Sequence, residues 1–180
     1  GRLVAAGSVR QPPAPQDTAF ARLNPDGSLD TTFGNNGRLV VNLGGSTGSG
    51  AIGYDAADAL VRLPDGRLLA AGTLRDFTTW RVVLVRLTAA GQLDTSFGTA
   101  GRLLPDLGQQ SSQDAVRLAP QTDRGLVIVS RVTDTSNGSC ALAVMRMDTD
   151  GRPDPTFGTA GVARLPYASC MDNPLLTGVI

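Results

Sequence analysis

Short apolar runs separated by turn-forming residues extend along the whole chain. In the central part of the sequence these runs are Ala59 to Leu63, Leu68 to Thr73, Val82 to Leu87 and Arg102 to Leu107. They are only a few residues long, they are rich in Val, Leu and Thr, and turns such as Pro64-Asp65-Gly66 separate them. These features favour strands over helices. The pattern therefore predicts four short antiparallel strands joined by tight turns.

One arrangement of residues occurs three times, at 21–40, 85–104 and 145–164. In each copy Arg, Gly, Asp, Phe, Gly and Gly keep the same spacing. These residues are Arg22, Gly27, Asp30, Phe33, Gly34 and Gly37, then Arg86, Gly91, Asp94, Phe97, Gly98 and Gly101, then Arg146, Gly151, Asp154, Phe157, Gly158 and Gly161. Such self-similarity indicates a repeat protein. Four strands per unit predict an all-β fold of about three four-stranded antiparallel β-propeller blades.

A second, weaker motif lies between these copies. Asp58 to Gly72 reads DALVRLPDGRLLAAG, its second half recurs at Gly1 to Gly7, and a degraded version spans Asp114 to Val129. We therefore expect residues 1–180 to be a single repeat domain that enters at the second strand of a blade, with Leu175 to Ile180 starting another blade. Since a closed propeller has about four to eight blades, three blades predict either further blades in a larger propeller or self-association.

The repeated arrangement resembles the delta-60 repeat, a bacterial family of units with the signature R-x-x-x-x-G-x-x-D-x-x-F-G-x-x-G. The resemblance covers essentially the whole chain and recurs three times. It implies a large secreted or cell-surface β-propeller, and it supplies no catalytic residues. One departure is Ala90, which stands where the first and third copies have Asp26 and Asp150.

The repeated arginine and aspartate are eight positions apart, across a predicted turn. The three pairs are Arg22 with Asp30, Arg86 with Asp94, and Arg146 with Asp154. A bidentate Arg–carboxylate contact would hold each turn, so we expect one ion pair per blade. The phenylalanine three positions after each aspartate, at Phe33, Phe97 and Phe157, is expected to anchor the turn in the core. The glycines are expected to adopt positive φ or to allow close backbone approach.

A calcium loop is one interpretation of Asp148, Asp150 and Asp154. Alternate carboxylates with a glycine among them place hard oxygen ligands where Ca²⁺ needs them. The second copy has Thr88 and Ala90 at two of these positions, and the chain contains no glutamate. An ordinary Asp-Gly hairpin turn is the other interpretation. Apart from this possible calcium ion, the sequence indicates no cofactor.

The two cysteines, Cys140 and Cys170, are candidates for a disulfide. If a hairpin forms with Asp148 near Gly161, Cys140 lies opposite residue 169, which is next to Cys170. The two sulfur atoms would then be within the range of a disulfide bond. A disulfide indicates an oxidising compartment. Two buried thiols are the alternative.

Charge and composition exclude several classes of function. Sixteen arginines and sixteen aspartates give a net charge of zero, and they are scattered, so no nucleic-acid partner is expected. The chain has no histidine, which excludes Ser-His-Asp and Cys-His catalysis and His-ligated metals. No run of about eighteen apolar residues is present, so no membrane span is expected.

These observations leave three hypotheses about function. The first is a non-enzymatic binding scaffold that is secreted, periplasmic or on the cell surface, with a protein or carbohydrate ligand. The second is a propeller enzyme, a lyase or a glycan-acting hydrolase, which would need clustered carboxylates or a metal in one blade. The third is a purely structural repeat array.

Overall fold

A computed structural model describes residues 1–10, 16–43, 54–76, 79–107, 111–121, 125–134 and 137–167. Eleven strands lie in these ranges. They are β1 (Leu3–Arg10), β2 (Gln16–Leu23), β3 (Arg38–Val41), β4 (Tyr54–Arg62), β5 (Leu68–Asp76), β6 (Thr79–Leu87), β7 (Arg102–Leu103), β8 (Ser111–Pro120), β9 (Leu126–Asp134), β10 (Cys140–Met147) and β11 (Val162–Tyr167). Across the same ranges, no helix has the length and apolar character needed to span a membrane.

The strands form three antiparallel blades in chain order. The first blade contains β1, β2 and β3, the middle blade β4 to β7, and the third blade β8 to β11. A single parallel bridge between Gln16 and Tyr54 joins the first two blades into one seven-stranded sheet. This arrangement confirms the predicted all-β organisation in antiparallel units of up to four strands. The predicted strand at Leu175 to Ile180 lies outside the described residues.

The observed strand lengths differ from those predicted. The inner strands of the middle blade are longer than the apolar runs, because ladder pairing continues through polar residues such as Asp55 and Arg75. The outer strand β7 covers only Arg102–Leu103 instead of reaching Leu107. Pro105 has no N–H group to donate to a ladder, so it weakens the extension of this edge strand.

Apolar side chains pack in two cores, one on each side of the middle blade. Leu68 and Ala70 of β5 face the first blade, where they pack in a cluster with Phe20 and Phe33. The alternating residues of the same strand, among them Leu69, face the third blade. Burial on both faces explains why β5 and β6 read as nearly continuous apolar runs.

Candidate functional site

Each signature forms the connection between the last two strands of its blade. In the middle blade, the N–H of Arg86 donates to the carbonyl of Gly101 at 3.0 Å, and the N–H of Asp94 donates to the carbonyl of Arg86 at 2.9 Å. The corresponding bonds in the first and third blades also measure 3.0 and 2.9 Å. Gly101 has a φ of +88°, which glycine adopts without steric cost. The N–H and the carbonyl of the signature arginine thus bond to two later residues of the same signature. These two bonds require a constant spacing between the three residues.

The arginine side chain holds this connection together. Arg86 Nε donates to Asp94 Oδ2 at 2.7 Å, and its guanidinium lies 4.7 Å from the centre of the Phe97 ring. The same Nε–Oδ2 distance is 2.7 Å between Arg22 and Asp30 and 2.6 Å between Arg146 and Asp154. The structure thus places the predicted arginine, aspartate and phenylalanine in one cluster in every blade.

A hydroxyl residue two positions after the aspartate completes the cluster. Ser96 Oγ accepts a hydrogen bond from Arg86 Nη2 at 3.0 Å and donates to Asp94 Oδ1 at 2.6 Å. Thr32 and Thr156 make the same two contacts in the other blades, at 3.1 and 2.6 Å. This position is not among the predicted site residues, although a Thr or Ser at one spacing in all three copies is a usable signal.

Two blades supply a second arginine to the same aspartate. Arg67, at the entry to β5, contacts Asp94 Oδ2 at 3.1 Å, and Arg2 contacts Asp30 Oδ2 at 2.8 Å. Both arginines belong to the weaker Gly-Arg-Leu motif. The two sequence motifs are therefore joined by a shared carboxylate.

These contacts keep the aspartates ionised. The pKa values of Asp30, Asp94 and Asp154 are all lowered, first by the hydrogen bond from the neighbouring hydroxyl and then with a contribution from the signature arginine. A carboxylate with a lowered folded-state pKa contributes stability above its ordinary pKa of about 3.8, and it loses that contribution as the pH falls through the lower folded-state value. The clusters are therefore expected to weaken in acid.

The signature arginine also makes hydrogen bonds to the next blade. Arg22 Nη1 donates to the carbonyl of Ala89 at 2.5 Å. Arg86 Nη1 donates to the carbonyl of Thr149 at 2.9 Å and to the carboxylate of Asp150 at 2.8 Å. Ala89 and Thr149 occupy the same position of consecutive repeats. Each arginine thus joins its own turn to the following one.

The signature phenylalanine also packs against the next blade. A Cβ added to Gly91 would lie 2.5 Å from the Phe33 ring, and one added to Gly151 would lie 2.4 Å from Leu103 Cδ2 and 3.1 Å from the Phe97 ring. Both glycines have positive φ, of +76° and +83°. Each ring is therefore seated on a positive-φ glycine of the following blade, and at Gly151 the side chain of Leu103 fills the remaining space.

The three aspartates of the calcium interpretation bond to arginines and backbone N–H groups, and Arg152 Nη1 lies 3.5 Å from Asp148 Oδ2 and 3.3 Å from Asp150 Oδ2. Asp154 accepts from Arg146, and Asp150 accepts from Arg86 of the preceding blade. Asp148 accepts two backbone N–H groups of its own turn. No group of three or more metal-ligating side chains occurs within the described residues. In the described residues these carboxylates bond to arginines and backbone N–H groups, and the calcium interpretation stays a prediction.

The pairing of the last hairpin differs from the predicted register by two residues. Cys140 lies opposite Tyr167 instead of residue 169. The reason is that Met147 pairs with Pro153, which leaves Arg146 as the residue opposite Gly161. Cys140 is buried, with its Sγ 3.3 Å from Thr133 Oγ1. Cys170 lies outside the described residues, so its pairing with Cys140 stays a prediction.

One buried carboxylate was not predicted from the sequence, because it does not belong to a repeated motif. Asp55 on β4 is 1% exposed. Its Oδ2 accepts the N–H of Leu43 at 2.8 Å, while its Oδ1 has no hydrogen-bond partner among the described residues. Burial raises the pKa of this carboxyl, and the nearby charge of Asp17 raises it further.

Replacing Asp55 with asparagine is expected to stabilise the protein by about 1 kcal/mol at pH 7. A raised folded-state pKa means that stability falls as the pH rises from about 3.8 through the folded value, and the neutral amide removes this loss. Urea unfolding at pH 7 and pH 3.5 measures the effect, which should nearly vanish at the lower pH.

The exposed Asp26 provides the control, because a hydrogen bond from Ser28 lowers its pKa. Asp26→Asn should give no stabilisation at pH 7. A loss of stability in Asp55→Asn at pH 7 would contradict the account given of the buried carboxyl.

Similar blades that are joined by one recurring set of contacts define a tandem-repeat β-propeller protein. Polar residues of the repeats connect its blades. The family model described as "Domain of unknown function (DUF5122) beta-propeller" matches residues 1–33, 63–97 and 121–157. These segments make up more than half of the chain, and each ends at a signature phenylalanine, so the chain belongs to this family. The match confirms the predicted propeller fold. Comparison with curated proteins and with solved structures found no match.

Proposed function

We propose that this chain is a non-enzymatic propeller segment of the delta-60 repeat kind that serves as a rigid binding scaffold outside the cytoplasm. The observation that carries the proposal is the use of the signature side chains within the protein itself. Arg86 illustrates it: each of its three guanidinium nitrogens bonds either to its own turn or to the following blade.

Catalysis by a propeller needs polar groups that are directed at a substrate. A side chain that serves every blade in the same way is a frame element, whereas a reaction centre has to differ from its surroundings. The hydroxyls at Thr32, Ser96 and Thr156 are likewise bonded to the arginine and aspartate beside them. The frame is constant and the connecting segments differ, which is how propellers usually present a binding surface.

The location outside the cytoplasm rests on two supports. The first is the resemblance to secreted and surface repeat proteins. The second is the predicted pairing of Cys140 with Cys170, which would persist in an oxidising compartment. The ligand of such a scaffold would be a protein or a carbohydrate.

Incubation with a panel of neutral and uronic-acid-containing polysaccharides tests the proposal. Reducing ends report hydrolysis, and absorbance of unsaturated products reports elimination. The expected result is no product above that of heat-unfolded chain. Product formation proportional to the concentration of folded chain would establish an enzyme and overturn the proposal. In a separate measurement, affinity electrophoresis on the same polysaccharides identifies any that the chain binds without cleaving.

A further inference from the structure

The two junctions between consecutive blades differ at one residue of the repeat. At the second junction, Arg86 Nη1 donates to a backbone carbonyl of the following blade at 2.9 Å and to the carboxylate of Asp150 at 2.8 Å. At the first junction Ala90 stands in the place of this aspartate, and among the described residues Arg22 Nη1 donates only to the equivalent carbonyl. We propose that the first junction binds the carboxylate group of a ligand beside Arg22 and Ala90.

The hydrogen bonds of the two arginines show the difference directly. Arg22 makes three hydrogen bonds with its guanidinium group within the described residues, and Arg86 makes four. The additional bond of Arg86 is the one to Asp150. Both blades of each junction are present, so the difference follows from the residue at position 90. One N–H donor of a permanently charged group is therefore left for a ligand.

The contact at Asp150 shows that this position suits an anion. Asp150 Oδ1 lies 2.8 Å from Arg86 Nη1, and Oδ2 lies 3.3 Å from Arg152 Nη1. The hydrogen bond from Arg86 lowers the pKa of Asp150, because it favours the ionised form. Hydrogen bonds between ionised groups are also shorter and stronger than those between neutral ones. A ligand carboxylate at the first junction would gain the same interaction from Arg22.

A ligand can reach this position from solvent. Arg22, Ala89 and Ala90 line one groove, and the Arg22 side chain keeps 13% of its surface exposed. The exposed Arg62 lies on the same groove. A Cβ added to Gly66 would lie 3.5 Å from Arg62 Nη2 and 3.7 Å from Ala89 Cβ, so this second guanidinium group is close to the turn that carries Ala90. Arg62 thus adds positive charge as Arg152 does beside Asp150.

The chemistry of the site defines the class of ligand. The equivalent position holds a carboxylate, which matches the planar guanidinium group in charge and geometry. Two sources of this group are a small organic acid and an acidic sugar, and the experiment distinguishes them. The site goes beyond the proposed scaffold function and does not depend on it, because a carboxylate could bind here whether or not the chain is an enzyme.

NMR titrations at pH 7 and constant ionic strength test the site, with acetate, galacturonate and neutral galactose as probes. Acetate and galacturonate should shift the Arg22 Nε–H and the Ala90 backbone N–H signals, with millimolar dissociation constants, because a partly exposed ion pair is weak. Galactose should shift neither signal. Tighter binding of galacturonate than of acetate would identify an acidic sugar as the preferred source, whereas equal binding would identify a small organic acid.

Two variants change the site in opposite directions. Ala90→Asp restores the aspartate of the other two copies, and its carboxylate should weaken binding of both acids at least about tenfold by occupying the site. Asp150→Ala should create a second site, detected as a shift of the Arg86 Nε–H signal. Gln92→Asp is the matched control, because it adds the same charge to the same turn at an exposed position. It should weaken binding by no more than about threefold.

Three outcomes would overturn the proposal. The first is that neither acid shifts the Arg22 and Ala90 signals up to about 100 mM, or that galactose shifts them equally. The second is unchanged binding to Ala90→Asp when circular dichroism shows that this variant is folded. The third is an Asp150→Ala chain that is folded but shows no shift at Arg86, because the missing carboxylate would then not be what forms the site.

Discussion

Replacing Arg86 with alanine is expected to lower the free energy of unfolding by about 3–5 kcal/mol. The side chain is 2% exposed and makes hydrogen bonds to Asp94, Ser96 and the next blade. Its removal takes one of two arginines from the largely buried carboxylate of Asp94 and abolishes the hydrogen bonds of this side chain to the following blade. Loss of one member of a buried charge pair is among the few changes that destabilise a protein this strongly.

Arg146→Ala is the matched control for this prediction. It removes the same residue type from the same motif, but the side chain is a third exposed and contacts only its own turn among the described residues. The expected loss is about 1 kcal/mol or less. Urea unfolding of both variants at pH 7 compares the two losses. Equal losses would show that the cross-blade bonds of Arg86 contribute little.

Replacing Gly91 with alanine is expected to cost about 2–4 kcal/mol. Part of the cost, about 1 kcal/mol, is the positive φ of +76°, which alanine adopts poorly. The larger part is steric, since the new methyl carbon would lie 2.5 Å from the buried Phe33 ring and force the first two blades apart. Overpacking of this kind typically costs about 1–3 kcal/mol.

Gly27→Ala separates these two contributions. Its φ of +84° is nearly the same, but its Cβ would meet nothing within 4 Å. Only the backbone cost of about 1 kcal/mol is therefore expected. Thermal or urea unfolding measures both variants. A loss in Gly27→Ala as large as that in Gly91→Ala would mean that the seat for Phe33 has no special role.

The blade architecture could be predicted from the sequence because its determinants are local. Four apolar runs and their turns occur within each repeat, and residues such as Arg86 and Asp94 are separated by a single hairpin connection. The spacing alone therefore indicated which side chains meet inside one blade. The hydroxyl at Ser96 was equally local, and it was overlooked because Thr and Ser alternate at that position.

The contacts between blades could not be predicted in the same way. Arg86 and Thr149 are 63 positions apart, and their meeting depends on how two sheets stack. Cys140 shows a different difficulty, because the register of its hairpin depends on a turn that consumes two more residues than the spacing suggested. Asp55 gave no sequence signal at all, since its burial follows from the packing around β4.

The arginine and phenylalanine contacts between blades all point the same way, from one repeat to the repeat that follows it in the chain. Each unit therefore needs a compatible neighbour before and after it, but no fixed place in the series. Gene duplication or deletion of a whole unit leaves every remaining junction chemically unchanged. The number of units can therefore change during evolution, whereas the glycine that receives the ring cannot be replaced.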